Sequence, residues 1–160
     1  MSAETRLAEL GITLPVPPTP VASYVTFVRT GDLVFTSGHG PQAEDGSWIT
    51  GKVGVDLTVE EGAEAARRTA IGLLATLRAE LGSLDRVTRI VKVLGMVNCP
   101  PEFTDHPAVI NGCSDLLAEV FGDAGRHARS AVGVGSLPLD FAVEIELVAE
   151  VAQTAFAASR

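Results

Sequence analysis

Residues 128–147 read ARSAVGVGSLPLDFAVEIEL. In the second half, Val143, Ile145 and Leu147 alternate with Glu144 and Glu146, the period-two pattern of a strand with one apolar and one polar face. The first half carries valines and small residues, and Leu137-Pro-Leu-Asp separates the two. This predicts strands over 128–135 and 142–151, joined as a hairpin centred near residues 137–138. If Val143, Ile145 and Leu147 face a core, the same pairing logic turns Ser130, Val132 and Val134 inward. Arg129, Ala131 and Gly133 then share the carboxylate face, with Arg129 close to Glu144 or Glu146 across the strands.

Working outward, residues 87–97 (VTRIVKVLGMV) predict a long strand. Its Val87, Arg89, Val91, Val93, Gly95 and Val97 share one face, and its other face is also partly apolar, which places it centrally in a sheet. A helix is predicted over about 59–81. Thr58 and Glu61 form a capping box, Ala66, Ala70, Leu73, Leu74, Leu77 and Leu81 line one side, and Gly82 stops it. A further helix over about 107–121 has Asp105 or His106 as its cap and Pro107 in its first turn. Residues 24–30 and 33–37 predict a hairpin about Gly31-Asp32. A short helix over 3–10 precedes a run with Pro15, Pro17, Pro18 and Pro20, which cannot be a central strand. The chain divides into residues 1–21 (short helix and Pro-rich arm), 22–151 (one domain) and 152–160 (an Ala-rich tail). The order ββαβαββ predicts an α+β fold: a mixed β-sheet with two main helices packed on one face.

Composition narrows the function. The 160 residues carry a formal net charge of −8 and no Lys/Arg run, which argues against a nucleic-acid partner. No apolar stretch is long enough for a membrane span, and the polar N-terminus is no signal peptide, so a cytoplasmic location follows by default. Cys99 and Cys113 make no disulfide framework. The mean hydropathy of +0.28 hints at association between copies, although a well-filled aliphatic core is the other reading.

An Arg and a Glu on one sheet face have two readings. They form a cross-strand ion pair, or the Arg grips a substrate carboxylate while the Glu activates a water. The three histidines lack the spacing of a metal site. Loop glycines spell neither a dinucleotide nor a phosphate-binding motif.

Five segments in register go further. Ala128-Arg-Ser-Ala-Val, Leu137-Pro with Val143-Glu-Ile-Glu, Tyr24-Val, Thr36-Ser-Gly and Val109-Ile-Asn together resemble the RidA (YjgF) family over about residues 22–151. The resemblance implies a chorismate-mutase-like subunit and a homotrimer with sites in the clefts between subunits. It implies hydrolysis of 2-imino acids to 2-keto acids and ammonia, without metal or organic cofactor. Carried over, Arg129 would hold the carboxylate of a small-molecule substrate and Glu144 would orient the attacking water. Tyr24, Ser37, Gly38 and Asn111 would line the pocket. Three further pocket positions depart from the family pattern: Ala131 stands where Cys is frequent, His39 where Gln is familiar, and His127 where Pro is common. A non-catalytic carboxylate-binding trimer and a ribonuclease are the alternative readings.

Overall fold

The computed structural model describes residues 1–17 and 23–153. Its elements run α1 (Ala3–Glu9), β1 (Phe27–Thr30), β2 (Leu33–Thr36), α2 (Val59–Leu81), β3 (Val87–Asn98), α3 (His106–Phe121), β4 (Ala128–Val134) and β5 (Val143–Val151). Pro18 and Pro20 of the expected arm, and tail residues 154–160, lie outside the described residues.

The predicted ends of α2 are present as chemistry, whereas Asp105 at the start of α3 makes no side-chain capping bond. The Thr58 hydroxyl accepts from the Glu61 N–H at 3.1 Å, and the Glu61 carboxylate accepts from the Thr58 N–H at 2.8 Å. Two otherwise orphaned donors are thereby satisfied. Leu73, Leu74 and Leu77 are fully buried, each contributing about 1.5–3 kcal/mol. Gly82, at φ 82°, closes α2 in the left-handed conformation. Beside α2 runs α3, and at Gly112 they approach so closely that a Cβ would collide with the Ala63 carbonyl. At the N-terminus, Ala3 and Leu7 of α1 and Leu14 beyond it are buried in the same core.

The five strands form one mixed sheet in the order β1-β2-β5-β3-β4. This corrects the expected final hairpin, because β4 and β5 are not neighbours. The strand β3 lies between them, parallel to β4 and antiparallel to β5. The physical reason is the α3 crossover, which returns the chain parallel to β3 on its open side. Residues 137–140 then carry the chain past the end of β3. There Leu139 and Asp140 adopt φ 52° and 59°, and the Asp140 carboxylate accepts from Asn98 Nδ2 at 3.0 Å. Buried Asn98 also accepts from Lys52 Nζ at 2.7 Å.

The corrected order reverses the predicted face of Arg129. Val93 pairs with both Arg129 and Leu147, Leu94 with Ser130 and Glu146, and Met96 with Val132 and Glu144. Paired residues share a face. Arg129, Ala131 and Gly133 therefore lie on the side of α2 and α3, and Ser130 and Val132 share the face of the two glutamates. A 3.0 Å bond from Lys92 Nζ to Ser130 Oγ marks that second face.

Strand β3 also departs from simple alternation. Register shifts between Val87/Arg89 and Ile90/Lys92 mark two bulges. As a result Ile90 and Val93 are both buried and Val91 is exposed. Among the described residues no helix covers the glutamate face, which exposes Val28, Leu33, Phe35 and Val132. No described helix is long and apolar enough to cross a membrane.

Candidate functional site

The candidate residues fall into two groups, one on each face of the sheet. The first is built around Glu144 of β5. Directly after β2, the chain pairs His39 with Ile145 through reciprocal backbone bonds of 2.9 and 3.0 Å. That pairing lays Gly38 against Glu144 so closely that any Cβ on Gly38 would strike the carboxylate. Ser37 donates its hydroxyl to the Val25 carbonyl at 2.6 Å, which ties the segment carrying exposed Tyr24 alongside. Glu144 itself takes no hydrogen bond from any described residue. Partial burial, and then the neighbouring Glu146 charge, push its carboxyl above the usual carboxylate range.

The second group surrounds Arg129 of β4. Its NH1 donates to Asn111 Oδ1 at 2.9 Å and to Ser114 Oγ at 3.0 Å, and its NH2 reaches the Pro107 carbonyl at 3.5 Å. All three acceptors belong to α3, which fixes the guanidinium at the edge of the sheet. His127 lies behind it, with Nε2 3.0 Å from Ser114 Oγ and Nδ1 2.7 Å from the Gly125 carbonyl. Burial, opposed by the Gly125 bond and reinforced by the Arg129 charge, lowers the His127 pKa. Ala131 follows Arg129 on the same face, where it packs against the core. Ser114 escaped the reading of the sequence. It stands one helical turn beyond Asn111, a spacing that places both on one side of α3.

His39 joins neither group. The residue is 5% exposed, with Nδ1 2.8 Å from the Ser37 carbonyl and Nε2 2.8 Å from Thr76 Oγ1 of α2. Burial lowers its pKa, so it sits as a neutral, fully bonded core residue. It also borders a groove of about 660 Å³ between residues 10–15, α2 and the 39–48 loop, which no other candidate residue reaches. Both thiols are held in the protonated form by burial. Burial pushes Cys113 up to about 12 and also raises Cys99, whose Sγ lies 3.6 Å from His106 Nε2. Among the described residues no three His, Cys, Asp or Glu side chains gather in a way that could hold a metal.

Within one chain Arg129 and Glu144 cannot act on one small molecule. They lie on opposite faces, and β3 separates their strands by two strand spacings, about 10 Å. Each group is open: a guanidinium edge on one side, an unpartnered carboxylate on the other.

Comparison with known proteins agrees with this architecture. Residues 4–151 match the family described as "YjgF/chorismate_mutase-like, putative endoribonuclease". Protein TCP17 of Trypanosoma cruzi is 45% identical over 146 residues, 91% of each chain. The 2-iminobutanoate/2-iminopropanoate deaminase of Dermatophagoides farinae is 28% identical, covering 86% of this chain and 92% of that one. A Shewanella oneidensis crystal structure titled "putative endoribonuclease" superposes with a TM-score of 0.90 at 33% identity, over 94% of this chain and 100% of that one. The chain belongs to the YjgF/chorismate-mutase-like family.

Proposed function

We propose that the protein hydrolyses small 2-imino acids, or their enamine tautomers, to 2-oxo acids and ammonia, in sites each completed by a second copy of the chain. The observation that carries this reading is the split arrangement: an Arg129 guanidinium held by α3 on one face and a Glu144 with a raised pKa and no hydrogen-bond partner among the described residues on the other. Two copies that bring the Arg129 edge of one against the Glu144 face of the next would assemble both groups around one ligand. The uncovered sheet face, with Phe35, Leu33 and Val132 exposed, supports such contact. A closed ring of three is the assembly the family resemblance implies.

In that site Arg129 holds the substrate carboxylate and so places the C=N carbon over Glu144. Ionised Glu144 accepts a proton from water as the oxygen attacks that carbon. Glu144 passes that proton to the nitrogen, which gives a neutral carbinolamine. The proton of the carbinolamine hydroxyl then moves through Glu144 to the same nitrogen, the C–N bond breaks, and ammonia leaves as the C=O bond forms. A carboxyl with a raised pKa suits both halves of this exchange, since it takes up and returns a proton at modest cost. The deaminase named among the relatives acts on this substrate class. The ribonuclease reading finds less support, because a net charge of −8 opposes a phosphate backbone.

The test generates imino acids in situ with an amino-acid oxidase or threonine dehydratase and follows ammonia release. Acceleration by the wild type that disappears in Glu144→Ala is the expected result. Failure to accelerate release from short, branched and aromatic imino acids alike overturns the deaminase reading and leaves a carboxylate-binding module.

A further inference from the structure

We propose that Ser114 and His127 are positioning residues that select which edge of Arg129 meets the substrate; this rests on the reading of Arg129 as the carboxylate holder. The direction of each hydrogen bond follows from what its partner can do. The Gly125 carbonyl only accepts, so His127 carries its proton on Nδ1. Nε2 of the neutral ring is then an acceptor, and the Ser114 hydroxyl donates to it. The Ser114 oxygen is left to accept from Arg129 NH1. With Asn111 taking its other proton, NH1 is fully occupied. NH2 directs one proton to Pro107, and Nε has no partner among the described residues. The edge left open is Nε with the second NH2 proton, a side-on fork that matches a carboxylate bidentately.

The surroundings leave His127 to this role. Arg126 and Asp123 pair with each other at 3.6 Å on the surface. Lys92, on the adjacent strand, points to the opposite face and bonds Ser130. Arg129 is the charged group that acts on the ring. Without the Ser114–His127 pair, NH1 keeps only Asn111, and the guanidinium can rotate its open edge away.

The experiment measures binding of 2-oxobutanoate, a stable carboxylate probe, by titration calorimetry, together with KM and kcat in the ammonia assay. It uses the wild type, Ser114→Ala, His127→Ala, the double variant and His127→Gln, each checked for wild-type assembly and melting. Both single alanine variants should weaken probe binding and raise KM about tenfold, with kcat much less affected, as expected for loss of one charge-assisted link. The double variant should be no worse than either single, because both break one chain. His127→Gln, whose Oε1 can accept from Ser114, should restore binding. Unchanged affinity, additive losses, or a fall in kcat at constant KM overturns the proposal. If the wild type binds no 2-oxobutanoate, the carboxylate-holding role of Arg129 falls and this proposal with it. If it binds the probe with the predicted pattern but releases no ammonia, the positioning role stands and only the deaminase reading fails.

Discussion

Glu144 concentrates the proposed chemistry in one carboxyl with two identifiable perturbations. Burial comes first and the Glu146 charge second, and both disfavour the ionised form. Because the proposed reaction needs the ionised form, kcat/KM should fall as pH drops through a value above the ordinary carboxylate range. Glu146→Gln removes the repulsive part and leaves the burial part. The acid limb of the pH–rate profile should therefore move to lower pH in this variant. An unmoved limb would mean that a different group titrates. Gly38 matters for a purely steric reason: its missing Cβ is where the Glu144 carboxylate sits. Gly38→Ala should lose most ammonia-releasing activity while keeping a near-normal melting temperature, since the displaced side chain is polar and partly exposed. Retained activity would show that Glu144 tolerates displacement. His39 teaches the opposite lesson. Its partner Thr76 lies 37 positions away on α2, so nothing local in the sequence distinguishes this bonded core histidine from a pocket histidine.

Between elements, α3 packs tightly against α2 at Gly112. A methyl there meets the backbone of Ala63, which cannot rotate away. Gly112→Ala should destabilise the fold by about 1–3 kcal/mol, read as a lower denaturation midpoint in urea. A variant as stable as the wild type would contradict this packing. The helices and most strand limits were legible beforehand because their signals are local: the capping box at Thr58, the leucine stripe of α2, Pro107 opening α3. Strand neighbours were not legible. Leu137-Pro-Leu-Asp reads as a hairpin turn. Its left-handed pair at Leu139 and Asp140, held by Asn98 at the end of β3, instead sends the chain past a strand that is remote in sequence. That one difference turns Arg129 from the glutamate face to the helix face. The bulges of β3 were hidden for a related reason. Both faces of 87–97 carry apolar residues, so an extra residue leaves no visible break in the pattern.

For the whole molecule, the opposite placement of Arg129 and Glu144 makes assembly a requirement of the proposed chemistry. A chain that stays monomeric by light scattering would have no complete site. A ring of three would place one site at each junction, with Arg129 drawn from one copy and Glu144 from the next. The most direct measurement co-refolds Arg129→Ala with Glu144→Ala, each inactive alone, in equal amounts. Every mixed ring then contains one junction with both side chains intact, so ammonia release should recover to about a quarter of the wild-type rate for random assembly of closed trimers. No recovery, with mixed rings confirmed by mass, would mean that both residues of a site come from the same chain, and the shared-site account would be wrong.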